Sequence, residues 1–431
     1  MTESSEPPPV SDDEAIPTGA EAPSVDEGPP PTPLTEPADG VPPVLTTPDE
    51  FAEAGRSLAA GTGPIALDTE RASGFRYSGR AYLVQIRRAG SGTMLIDPID
   101  HPDALGPIAA ALDGPEWILH AADQDLPCLR ELNFRCAALY DTELAGRLLG
   151  IPKVNLAAMV EHFLGLGLVK GHGAADWSRR PLPADWLNYA ALDVEVLIEL
   201  RDAVQAALVE AGKETWAAEE FAAVLARPEP APRPDRWRRV SKIHTIKSTR
   251  TLAAVQQLWI AREDVARRRD VAPGRILPDS AIVAAAVADP KTLDELYKLP
   301  VFGGPRQRRQ AGRWMSALEA ARRLPDSELP PRRPPSTGLP QVNRWEAKSP
   351  EAAARLTAVR AALTALAEEV NTPVENLLQP ELVRQLCWDD VPSATPEAVA
   401  TRLAVGGARP WQIHLTSPVI ADALAVVPAT D

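Results

Sequence analysis

Ile65-Ala66-Leu67-Asp68-Thr69-Glu70 is the stretch whose reading decides the fold: a short apolar run that ends in acids. Ala81-Tyr82-Leu83-Val84-Gln85-Ile86 and Thr93-Met94-Leu95-Ile96-Asp97 follow it, separated by Gly, Ser and Arg turns, as in a strand meander. Helical patterns then alternate with one more strand, Trp117-Ile118-Leu119-His120. In 155–166 and 185–207 apolar residues recur at three- and four-residue spacing. Strands first and mixed elements after them predict a mixed sheet flanked by helices, an α/β domain.

The acids of that first strand carry the chemical signal. Residues two apart on a strand share a face, so Asp68 and Glu70 project together. Carboxylates held that close repel and raise each other's pKa unless a cation neutralises them, and a hard divalent ion suits oxygen ligands. Two further words add to this. His120-Ala121-Ala122-Asp123-Gln124-Asp125-Leu126 directly follows a strand and sets Asp125 in the first turn of a helix. Asn188-Tyr189-Ala190-Ala191-Leu192-Asp193 lies in a helical pattern, with Tyr189 and Asp193 at i and i+4 on one face. Taken singly, each has an ordinary explanation: a solvated strand end, a helix-capping acid, a core phenol.

Charge is distributed unevenly. The 431 residues carry 45 Lys and Arg against 59 Asp and Glu, a net charge of −14. Residues 1–50 hold 12 acids and no base, whereas residues 227–335 hold 23 bases against 12 acids. The total excludes a uniformly basic coat but conceals a basic segment in series with acidic ones. Cys128, Cys136 and Cys387, without a CxxC, give neither a disulfide framework nor zinc-ligand spacing. No GxSxG, GxxxxGK[ST] or HExxH is present. With no secretory signal and no apolar run near the ~20 residues of a membrane span, a cytoplasmic protein without a membrane partner is expected.

Proline-rich stretches mark the boundaries. Residues 1–48, acidic and Pro-rich, are expected to be a disordered tail. Residues 49–226 form the α/β domain, 227–240 a linker, 241–326 a helical basic domain, 327–340 a second linker and 341–431 a final helical domain. In the basic domain Thr251 is expected to cap a helix over 252–269, and Gly304-Pro305 to open one running through Leu318. Arg267, Arg306, Arg308 and Arg309 offer guanidinium groups to phosphates, Lys170 is a further candidate phosphate contact, and Trp237, Trp259 and Trp314 are candidates for base stacking or for core. The final domain repeats the basic one: Ala272–Val283 aligns with Thr372–Val383 at an offset of 100.

The order Asp-x-Glu, Asp, Tyr-x-x-x-Asp resembles the DEDDy 3′–5′ exonucleases. The surrounding words IALDTE, HAADQDL and LNYAALDV, with DTELAGRLLG (141–150), NLAAMVEHFLG (155–165) and DWSRRPL (176–182), resemble ribonuclease D specifically. WIAREDVARRRDVAPGRILPD and LPVFGGPRQRRQAGRWMSAL resemble an HRDC domain. The resemblance implies a ribonuclease H-like mixed sheet flanked by helices, followed by two small all-α HRDC-type domains, the second divergent. It also implies that Asp68, Glu70, Asp125 and Asp193 bind two Mg²⁺ or Mn²⁺ ions, that Tyr189 orients the attacking water, and that the partner is RNA with a free 3′ end. A monomer is assumed. A DNA-directed exonuclease and a non-catalytic RNA-binding protein on the same scaffold stay open as alternatives.

Overall fold

The computed structural model describes residues 30–168, 171–229, 231, 233–333, 338–389 and 394–427. Its strands are β1 (Thr32–Leu34), β2 (Val44–Leu45), β3 (Thr62–Arg71), β4 (Ala81–Ala89), β5 (Gly92–Ile96), β6 (Glu116–Leu119), β7 (Ala138–Asp141) and β8 (Leu166–Leu168). Six of them form one sheet in the order β2-β5-β4-β3-β6-β7, while β1 and β8 pair separately. β3, β4 and β5 are the expected antiparallel meander, and β6 and β7 run parallel to β3. The central strands are apolar where both faces are covered, as in Ile65-Ala66-Leu67, all fully buried. Helices Pro48–Ala60, Ala184–Glu195 and Leu197–Glu210 flank the sheet; the helical spacing read over 185–207 falls on two helices that meet at Val196.

Two expectations for the linking segments change. The tail expected through residue 48 contains β1 and β2, which pair with β8 and β5. Its few apolar residues, Leu34, Val44 and Leu45 among them, find places at sheet edges that an average over a Pro-rich segment hides. Residues 1–29 lie outside the described residues. In the expected linker at 227–240, Arg236–Arg239 form a 3₁₀ turn that seats Trp237 in the core of the following domain.

That domain is helical: a long helix Thr249–Arg269 capped by Ser248 rather than Thr251, then Pro273–Ile276, Asp279–Ala288, Leu293–Tyr297, Pro305–Arg308 and Ala311–Arg323. The final domain repeats the opening of this sequence, with Pro350–Glu369, Val374–Leu377 and Pro380–Trp388, and closes with Pro396–Val405 and Pro410–Ala425. The repeat at an offset of 100 thus falls on matching one-turn helices and the helices after them.

Both helical domains dock on the first. Asp270, just past the end of its long helix, accepts hydrogen bonds from the Ser78 amide at 2.8 Å and the Tyr82 hydroxyl at 3.1 Å, and Tyr77 packs against the helical core. On another side Lys213 Nζ donates to the carbonyls of Leu148 (2.7 Å), Val370 (2.6 Å) and Asn371 (3.0 Å), tying the first domain to the last. Trp216 and Trp411 stack beside it at 4.6 Å. Among the described residues no helix is long and apolar enough to cross a membrane.

Candidate active site

The pocket opens where β3 and β6 part. Their pairing ends at Ala66 and Ile118, while β3 continues to Arg71 along β4. Beyond that point Asp68 and Glu70 share a face, as their spacing requires, and Asp193 meets them from helix Ala184–Glu195. Oxygens of these three carboxylates lie within 4.8 Å of one another. Asp125 and Tyr189 line the same pocket, with Arg71, Gln124 and His120. The structure therefore brings together all five residues singled out by the motif spacing.

Asp125 sits immediately before helix Leu126–Glu131 but makes no capping hydrogen bond. Its carboxylate instead accepts the Thr69 hydroxyl at 2.5 Å. The capping explanation for this acid is thereby removed. The turn that delivers it is braced from below: Ala121 is left-handed, with φ 62°, and Asp141 accepts the amides of Ala121 at 3.1 Å and Ala122 at 2.9 Å. The same Asp141 caps helix Thr142–Leu148 through the Glu143 and Leu144 amides. Neither Thr69 nor Asp141 was expected at the site. For Asp141 the available signal was Asp-Thr-Glu at a helix start; for Thr69 there was none, because its partner is 56 residues away.

Burial and mutual repulsion govern the electrostatics of the cluster. Burial, then the charges of Asp125, Asp193 and Glu70, push Asp68 well above the usual carboxylate range. Burial and the charges of Asp193 and Asp125 raise Glu70 to about 9. Burial raises Asp193 to about 7 and Asp125 to about 6, the latter against the Thr69 hydrogen bond. Groups so crowded hold protons or cations, and an all-oxygen donor set fits hard divalent ions. Tyr189, hydrogen-bonded to Asp193, is raised far above an ordinary phenol by burial and the surrounding carboxylates, so it stays protonated. His120, lowered to about 4 by burial, is neutral, and its Nδ1 lies 2.8 Å from the Thr142 hydroxyl.

The expected nucleic-acid contacts fare differently. Lys170 lies outside the described residues. Arg267, Arg306, Arg308 and Arg309 are exposed, and none of them lines the carboxylate pocket. Arg267 lies 5.9 Å over the ring of Tyr77, and Arg308 packs on Tyr297. Trp237 and Trp314 are buried and serve the core rather than stacking bases.

Comparison with known proteins gives each of the three domains a match. Residues 42–208 match a family described as 3′–5′ exonuclease, residues 251–318 an HRDC domain, and residues 338–424 a 3′ to 5′ exonuclease C-terminal domain. The last match gives the final domain its own description, distinct from HRDC. Ribonuclease D of Pseudomonas paraeruginosa is 31% identical over 335 residues, 76% of this chain and 85% of that protein. A crystal structure of a protein from Bifidobacterium adolescentis is similar over 92% of this chain and 100% of that one, with 38% identity and a TM-score of 0.84. Escherichia coli RNase D, described as an exoribonuclease involved in structured RNA processing, superposes over 90% of this chain and 99% of its own, with 25% identity and a TM-score of 0.64. By its pocket, its domain order and these likenesses, the chain belongs to the ribonuclease D family.

Proposed function

We propose that this chain is a divalent-cation-dependent 3′–5′ exoribonuclease that releases 5′-mononucleotides from free RNA 3′ ends, including those of structured RNAs such as tRNA precursors. The observation that carries the reading is the convergence of Asp68, Glu70 and Asp193, with Asp125 and Tyr189 in the same pocket, in a member of the ribonuclease D family. Two Mg²⁺ or Mn²⁺ ions held by Asp68, Glu70, Asp125 and Asp193 would activate a water and offset charge on the departing 3′ oxygen.

The chain's own groups have separable roles. Tyr189 keeps its proton, so its hydroxyl orients the attacking water rather than abstracting a proton from it. Thr69 fixes the direction in which Asp125 presents its oxygens. Arg71 brings a cation to the pocket lining, where a guanidinium pairs naturally with a phosphodiester. The basic domain adds sequence-blind affinity through Arg306, Arg308 and Arg309.

The test uses 5′-labelled RNA and DNA oligonucleotides in competition, with Mg²⁺ or with EDTA. Stepwise loss of RNA 3′ nucleotides that stops in EDTA and in Asp68→Ala is expected. Activity that survives either treatment refutes the metal-dependent reading, and faster turnover of DNA transfers the assignment to a DNA-directed exonuclease.

A further inference from the structure

Tyr189 is held by parts of the chain that contribute nothing to the carboxylate set. The first is Gly171. A Cβ at this position would lie 1.6 Å from Tyr189 Cε2, 2.1 Å from Cδ2 and 2.4 Å from Cζ. The bare backbone therefore rests against the ring, and any side chain would drive the ring away. His172 completes the seat: its ring meets Tyr189 edge-on at 5.9 Å and stacks on Trp186 at 5.7 Å. Its Nε2 stands 3.3 Å from Asp185. The seat is thus pinned to the same helix that carries Tyr189, one turn earlier.

The second part is the strap formed by residues 30–38, which precedes the region matched by the exonuclease family, 42–208. β1 pairs in parallel with β8, and Thr32 N donates to Gly165 O at 2.8 Å. The strap then crosses to the Tyr189 helix. Asn188 Nδ2 donates to the Thr35 carbonyl at 2.8 Å, and the Ala38 amide donates to Glu195 at 3.3 Å. Between these two anchors on the helix stand Tyr189 and Asp193. Thr35, Leu168, His172, Tyr189 and Asp193 together wall a cavity of about 160 Å³. One short segment therefore ties β8, which precedes the seat in the chain, to the helix that follows it.

We propose that Gly171 and the strap 30–38 are positioning elements for Tyr189, fixing the ring so that its hydroxyl aims at the attacking water. The proposal rests on the reading of Tyr189 given above. A mere stabilising role would show as lost stability and lost metal affinity, whereas positioning shows in turnover alone.

The variants are Gly171→Ala and Asn188→Ala in the full chain, and truncations lacking residues 1–38 or only 1–29. They are assayed on 5′-labelled RNA with Mn²⁺, with Mn²⁺ affinity measured by calorimetry and Tm by fluorimetry. Gly171→Ala and the 1–38 truncation should each lower kcat by on the order of tenfold to a hundredfold, with KM and Mn²⁺ affinity held within about twofold. Asn188→Ala should lower kcat by a smaller factor. The 1–29 truncation keeps the strap and should keep wild-type kcat. In a Tyr189→Ala background the seat is vacated, so adding Gly171→Ala should cost no further turnover.

Wild-type kcat in both Gly171→Ala and the 1–38 truncation overturns the proposal, as does a fall in Mn²⁺ affinity or Tm that parallels the loss of rate. Tyr189→Phe separates the two levels of inference. A Phe variant at full speed removes the tyrosine from the mechanism altogether. A slow Phe variant beside fast Gly171→Ala and 1–38 variants removes only the positioning elements.

Discussion

Replacing Asp68 with Asn separates the electrostatic cost of the carboxylate cluster from its chemistry. At an effective dielectric of ~20, two unit charges about 4.8 Å apart, the outer limit within the cluster, repel by roughly 3 kcal/mol. Without cations, protons relieve part of this: Glu70 rises from 4.5 to about 9, Asp193 from 3.8 to about 7 and Asp125 from 3.8 to about 6. Folded-state values above the unfolded ones mean that the fold binds the extra protons. The stability they lend is complete below about pH 4 and is lost as pH rises toward about 9. Asn is nearly isosteric and uncharged. In EDTA near pH 8, Asp68→Asn should therefore gain about 2 kcal/mol and melt on the order of 5 °C higher than wild type. Near pH 5 the gain should be smaller, because the carboxyls are already protonated. Mn²⁺ should raise the Tm of wild type at the higher pH and do little for the variant, which has lost a ligand oxygen and should be inactive. Fluorimetric melts at both pH values, with EDTA or Mn²⁺, measure all of this. An Asp68→Asn chain that melts no higher than wild type in EDTA near pH 8 would refute the electrostatic account.

Three further outcomes follow from individual side chains. Thr69→Val removes the hydroxyl that holds Asp125 and should weaken Mn²⁺ binding about tenfold without changing the circular dichroism spectrum; titration calorimetry reads the loss. Lys213→Met leaves the carbonyls of Leu148, Val370 and Asn371 without their shared donor. That should cost about 3 kcal/mol and expose the junction with the last domain to limited proteolysis, while an unchanged digestion pattern would mean the junction does not depend on it. Replacing exposed Arg306 and Arg309 with Gln should weaken RNA binding for every sequence tested. The slope of log K against log salt should fall by about 0.7 for each phosphate that is no longer neutralised.

The parts of the fold legible in the sequence are those whose side chains report a local environment. β3, β4 and β5 announce themselves by apolar runs with turn residues between them, and Tyr189 and Asp193 by helical spacing. β7 is four residues long, Ala-Leu-Tyr-Asp, and gives no alternation to read. β1 contains Pro33, which argues against a strand wherever its amide is needed; here the pairing with β8 includes that position and holds through Thr32 N. Trp237 sits among arginines and prolines that read as linker, yet it is buried because a domain folds over it. Such placements depend on partners tens to hundreds of residues away.

The tripeptide Asp-Thr-Glu makes the limit concrete, for it occurs twice, at 68–70 and 141–143. In the first copy the extended backbone points Asp68 and Glu70 to one side, past the point where the pairing of β3 with β6 ends at Ala66 and Ile118, and Thr69 to Asp125. In the second copy the backbone turns into a helix, and Asp141 spends its oxygens on the amides at 143 and 144 and on those at 121 and 122. One copy sets its two acids among other carboxylates, where burial and neighbouring charges raise them; in the other, Asp141 accepts four backbone amides. Yet the second serves the first: by holding the left-handed turn at Ala121, Asp141 helps set where the chain enters residue 125, and the Thr69 hydroxyl then fixes the carboxylate. The carboxylates that face the pocket thus crowd one another, and the acid that four amides satisfy supports the delivery of one of them.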